Sequence, residues 1–187
     1  MANPTPDTVQ MTQRGTFPRD DNDVPITNGG LQATKSITFT GDNTSGIAVP
    51  LFHITGTVQV TGLWGVVTTN LGSNHTAAYW RLNDQTAQVS ITASSGTALS
   101  GIKAGSTIVK NDLASAALVL LNNSAGRVSE PTTLETMYFS PFVAMKKTAA
   151  TTDIEYVYST TNSPTTGVIQ FFCQWLPVSQ DGQVTPV

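Results

Sequence analysis

Residues 49–71 read VPLFHITGTVQVTGLWGVVTTNL, the densest run of strand-forming residues in the chain, interrupted only by Gly56, Gly62 and Gly65. Val58, Val60, Trp64 and Val66 fall on one parity, and Thr57, Gln59 and Thr61 on the other. A period of two places these sets on opposite faces of a sheet. Valine and threonine suit a pleated, half-buried surface. A helix here would carry three glycines, each costing about 1 kcal/mol relative to alanine. Leu51-Phe52-His53-Ile54 is a short apolar run closed by Thr55-Gly56, so Gly56 marks a turn or bulge between two strands. Pro50 lacks an N–H donor and belongs at a strand start or edge. The stretch therefore predicts two or three consecutive strands, tightly joined.

A second strand of equal strength lies at residues 168–176, VIQFFCQWL. Ile169, Phe171, Cys173 and Trp175 share one face. Val168, Phe172 and Leu176 share the other with Gln170 and Gln174. A strand this apolar on both faces belongs in the middle of a sheet or in a subunit interface. Residues 36–40, 77–82, 88–92 and 154–158 also read as strands, with Val89 and Ile91 on one face and Ile154, Tyr156 and Tyr158 on another. Residues 113–121, LASAALVLL, fit a short helix capped by Asp112 or a buried strand. The Asn122-Asn123 loop that follows favours the strand. The total, about eight to ten short strands, predicts an all-β fold: an antiparallel β-sandwich or a jelly-roll-like barrel. The domain is expected over residues 36–187.

Residues 1–35 have few large apolar side chains and are punctuated by Pro4, Pro6, Pro18 and Pro25. Proline fixes φ and biases its predecessor toward extended backbone. The segment reads as a disordered tail or as an extended N-terminal arm that orders against a partner, and the arm is the expectation. Asp20, Asp21 and Asp23 form an acidic cluster, but Val24-Pro25 stands where a calcium loop needs its glycine turn, so no metal is expected.

Only 11% of the 187 residues are charged, and the formal net charge is −3. Lys and Arg form no cluster, so the footprint of a nucleic-acid binder is missing. No apolar run reaches the roughly 20 residues of a membrane-spanning helix. Residues 1–15 lack the apolar centre of a signal peptide, which predicts synthesis in the cytoplasm without export. Cys173 is the one cysteine, set among aromatic residues where a thiol is not activated. His53 and His75 make no metal-ligand pair by spacing. No glycine-rich phosphate loop precedes a helix. No carboxylate pair is singled out for glycoside hydrolysis. The expectation is a protein without catalytic site, metal or cofactor. The aromatics Tyr79, Trp80 and Tyr156 are candidates for stacking on a sugar, against the plainer reading that they fill the core.

Two blocks carry a resemblance. Residues 47–71 contain Ile47, Val49-Pro50-Leu51-Phe52 and Ile54-Thr55-Gly56, then Val58, and close on Thr69-Asn70-Leu71. Residues 168–182 hold an aromatic strand followed by Trp175, Pro177-Val178-Ser179 and Asp181-Gly182. Both resemble blocks of small β-rich structural proteins of tailed bacteriophages, in the same order. The resemblance implies a virion structural protein. The form expected is a capsid decoration (cement) protein on the outer capsid surface, bound to the major capsid protein and assembled as a trimer. The other form is a receptor- or glycan-binding part of a head or tail fibre. The arm would bind capsid or a neighbouring subunit, with Arg14, Phe17 and Arg19 as anchors, because arginine and aromatic residues dominate interface energies.

Overall fold

A computed structural model describes residues 31–41, 46–97, 99–110, 117, 119–121, 141–146, 151–160 and 165–187. Among them run strands β1 (Leu31–Gly41), β2 (Ile47–Thr55), β3 (Thr57–Thr69), β4 (His75–Asn83), β5 (Gln88–Ser90), β6 (Thr107–Val109), β7 (Val119–Leu121), β8 (Phe142–Met145), β9 (Thr152–Thr160), β10 (Thr165–Pro177) and β11 (Gln183–Pro186). The first sheet has the order β1-β10-β3-β6-β7, with β8 also paired to β3. The second has the order β11-β2-β9-β4-β5. Every strand pairing is antiparallel. The sheets stay open and face each other, so the architecture is a sandwich rather than a closed barrel.

The core lies between them. Phe39, Val58, Val60, Leu63, Val67, Ile169, Phe171 and Cys173 point inward from the first sheet, and Leu51, Phe52, Ile54, Trp80, Ile154 and Tyr156 from the second. Each such aliphatic or aromatic side chain contributes about 1.5–3 kcal/mol on full burial. β10 alternates as its sequence predicts and sits between β1 and β3, the central position expected for a strand apolar on both faces. Burial raises the Cys173 thiol pKa well above its ordinary value.

The alternation in β3 is broken where the sequence shows an even run. Gly62 faces Gln174 and Val60 faces Trp175, so the register with β10 shifts by one residue at Thr61. The extra residue is a β-bulge, and it turns over every side chain beyond it. Val58 and Val60 face the core, but beyond Thr61 the core side is taken by Leu63, Gly65 and Val67. Trp64 and Val66 thus stand on the outer face, opposite to the face the parity predicts. Gly65 is required here, because a Cβ would lie 2.8 Å from Ile169 Cγ2.

Other boundaries shift less. β1 begins at Leu31, so Leu31–Lys35 belong to the first strand rather than to the arm. β5 ends at Ser90. The N–H groups of Ile91 and Thr92 both donate to the Trp80 carbonyl, which reverses the expected pairing of Val89 with Ile91: Val89 is exposed and Ile91 buried. Residues 119–121 of the ambiguous apolar run are strand β7.

Candidate functional site

Arg14, Phe17 and Arg19 lie outside the described residues. The three aromatics named for sugar stacking do not share a surface. Tyr79 stands opposite Val157 on the outer side of the second sheet, half-buried. Trp80 and Tyr156 are fully buried in the core. The correction follows from the strand period: adjacent residues face opposite ways, and Tyr156 shares the inward parity of Ile154 and Tyr158. Neither buried ring has a face to offer a ligand.

What the outer side of the second sheet carries is a polar network. Arg81 Nε donates to Glu155 Oε2 at 2.6 Å, and Arg81 Nη1 donates to Gln88 Oε1 at 2.6 Å. Asn83 Nδ2 donates to the other Glu155 oxygen at 2.9 Å. Alongside it, His53 Nδ1 meets Asp153 Oδ1 at 2.8 Å. These bonds tie β2, β9, β4 and β5 side by side. Each Glu155 oxygen already accepts a bond from a side chain, so the network reads as a cross-strand tie. Arg81→Met will leave Glu155, nearly buried, without its cation. The expected loss is about 2 kcal/mol of stability, the scale of a charge-assisted bond, measured by urea denaturation.

The outer side of the first sheet is different in kind. Trp64 stacks on Phe172, with ring centroids 5.2 Å apart and planes 8° from parallel. The register sets Val143 and Leu176 on either side of Gln59, and Met145 beside Thr57. Val143 is 61% exposed, Met145 65% and Val178 60%. Val143 and Met145, two residues apart on β8, thus put exposed apolar side chains on this face.

The corner between β2 and β3 joins the two sheets. β2 belongs to the second sheet and β3 to the first, and Gly56 alone makes the crossing. Its φ is +57°, in the left-handed region that glycine occupies without penalty. The turn after β10 packs directly on it. Thr57 N–H donates to Ser179 Oγ at 2.7 Å, and Val178 and Ser179 N–H donate to the Thr57 carbonyl at 2.9 and 3.1 Å. Ser179 Oγ donates to Asp181 Oδ1 at 2.7 Å, and Thr55 Oγ1 donates to the Asp181 carbonyl at 3.2 Å. A Cβ on Gly56 would fall 2.7 Å from the Asp181 carbonyl carbon. Residues 47–71 and 168–182, far apart in the chain, thus meet in one contact.

His75 opens β4 and is fully buried. Its Nε2 lies 2.8 Å from Tyr156 Oη and its Nδ1 3.5 Å from Thr165 Oγ1. The ring stacks on Tyr158 at 4.8 Å and meets the edge of Phe39 at 4.8 Å. Burial lowers its pKa from 6.5 to about 4. A bulge hid it: Ala77, at φ +50°, throws His75 and Ala78 onto the same inward face. Among the described residues no group of three His, Cys, Asp or Glu side chains is placed to hold a metal ion. Compared with protein-family models, with curated proteins and with solved structures, the chain matches none.

Proposed function

We propose that this chain is a virion structural protein of a tailed bacteriophage, and that it decorates the capsid shell and stabilises it. The observation that carries the reading is the corner lock. The segments 47–71 and 168–182, which resemble phage structural proteins, form a single physical unit through Gly56, Ser179 and Asp181. A resemblance spread over two distant blocks gains weight when both blocks are needed to build the same corner. The exposed strip of Val143, Met145, Leu176 and Val178 supplies a surface suited to protein contact. The arm supplies a second: an extended segment adds main-chain hydrogen bonds to a sheet it joins, with Arg14, Phe17 and Arg19 as side-chain anchors. Non-covalent clamping across capsid subunits stabilises the shell by mass action, because the clamp binds the assembled form alone.

Co-sedimentation with shells of the phage that encodes the chain tests this. The full chain should bind shells and raise the temperature at which they burst. Deleting residues 2–30 stops just short of β1, so the domain should keep its fold, read as an unchanged circular dichroism spectrum, and lose shell binding. Unchanged binding by the truncated protein removes the arm from the mechanism. Failure of the full chain to bind overturns the reading. The fibre reading, with a sugar stacked on surface aromatics, keeps only Tyr79 of its three rings and has no other observation in its favour.

A further inference from the structure

We propose that β1 is a pairing edge, and that a second copy of this chain docks on it, β1 against β1, antiparallel about a two-fold axis. The first sheet then runs continuously through both copies.

The argument begins with how sheet edges are protected. A strand with one side unpaired presents a row of N–H and C=O groups to any other strand, and proteins blunt such edges by shortness, proline, bulges or outward charge. Among the described residues, β5 and β7 are three residues long, and β8 and β11 four. β11 also carries Pro186. β1 has none of these defences. It is 11 residues long and contains no proline. Its register with β10 is unbroken, from Leu31 opposite Trp175 to Gly41 opposite Thr165. Its outer side chains are Gln32, Thr34, Ser36, Thr38 and Thr40, all uncharged. Lys35 is the one charge in the strand. It faces the second sheet and donates to the Val187 main-chain oxygen, so it does not guard the edge.

The sequence of β1 is also complementary to itself. Overlap of all 11 residues puts the two-fold axis at Ser36, which then faces Ser36 of the second copy. Thr34 faces Thr38, Gln32 faces Thr40, and Ala33 faces Phe39. Threonine pairs across strands are favourable, and like charges directly opposite are not. Lys35 faces Ile37, so no two charges stand opposite. The contact uses the edge and leaves the exposed strip of Val143, Met145 and Leu176 to a different partner. It does not rest on the capsid reading, since it is a property of the free chain.

Sedimentation velocity on the full chain tests it, with Ser36→Lys and Ser36→Glu as variants. Ser36 is exposed on the outer face, so both variants should fold, checked by circular dichroism. The wild type should form a dimer that dissociates on dilution. Each variant alone sets like charges opposite at the axis and should weaken the dimer roughly ten-fold or more. An equimolar mixture sets Lys against Glu and should restore it. A monomeric wild type overturns the proposal. So does a Ser36→Lys protein that self-associates as the wild type does, or a mixture of folded variants that fails to pair.

Discussion

Gly56→Ala is expected to lose about 2–5 kcal/mol of folding stability. Holding alanine in the left-handed region costs about 1–2 kcal/mol. Overpacking against a backbone that cannot retreat adds about 1–3 kcal/mol. The added methyl meets the Ser179–Asp181 turn, whose bonds to Thr55 and Thr57 must stretch or break to admit it. Gly96 supplies a matched control. Its φ is +59°, within 2° of Gly56, but a Cβ there meets nothing within 4 Å. Gly96→Ala carries the conformational term alone, partly offset by the stiffer unfolded chain, for a net loss of about 1 kcal/mol. Urea denaturation of the two variants separates strain from steric exclusion. Equal losses would show that the corner yields, and that the lock contributes little. Since whole domains are stable by only about 5–15 kcal/mol, the expected loss at Gly56 leaves little margin.

The same corner explains why the two recognisable blocks look as they do. A strand that leaves one sheet and enters the facing one within a single residue needs a glycine to turn and a second segment to satisfy the main-chain groups it exposes. Thr57 has both its N–H and its carbonyl bonded by the segment after β10. Ser179 and Asp181 fold that segment into a tight turn. Gly182 is held close to Thr57 and has no room for a side chain. Sequence pattern at this place is therefore a record of scaffold geometry. The surfaces we propose for partners lie elsewhere, on the exposed side chains of β8 and on the edge of β1.

Much of the sandwich was legible because alternation is a strong signal where it is unbroken. β10 and β9 show this: Ile169, Phe171, Cys173 and Trp175, and again Ile154, Tyr156 and Tyr158, face inward as their spacing dictates. Failures occurred where one residue was added. Thr61 moved Trp64 and Val66 outward, and Ala77 moved His75 inward. A bulge leaves composition and propensity unchanged while reversing every face beyond it, so no window of sequence reveals it. The path of β2 into one sheet and β3 into the other was equally hidden. Thr-Gly between two apolar runs also suits a hairpin, and the choice is made by Ser179 and Asp181, more than 100 residues away. The surface residues were the least legible. Exposed side chains are little constrained by the packing that sets the period of a strand.

Acid should destabilise this protein between pH 6.5 and 4, and His75 should account for about 3 kcal/mol of the loss. In the unfolded chain its imidazole takes up a proton near pH 6.5, whereas burial in the fold postpones that to about pH 4. Between these values the unfolded state holds more protons, so stability falls as pH falls, by about 1.4 kcal/mol per unit. Above pH 6.5 the contribution is fully present, and below about pH 4 it is gone. The groups packed around the ring are Phe39, Tyr156, Tyr158 and Thr165, none of which carries a charge in this range that offsets an imidazolium. Tyr156 is itself held neutral, its pKa raised well above 10 by burial first and then by Tyr158. The comparison protein is His75→Phe combined with Tyr156→Phe, which keeps aromatic packing and removes the partner hydroxyl that would otherwise be stranded. Urea midpoints for both proteins at pH 7, 5.5 and 4.5 make the test. Contributions from groups common to the two proteins cancel in the difference. The wild type should lose its advantage over the double variant steadily as pH falls through this window. Parallel pH profiles would mean that the imidazole finds a way to be protonated inside the fold, and that the stacked cluster of Phe39, His75 and Tyr158 opens locally in the native state.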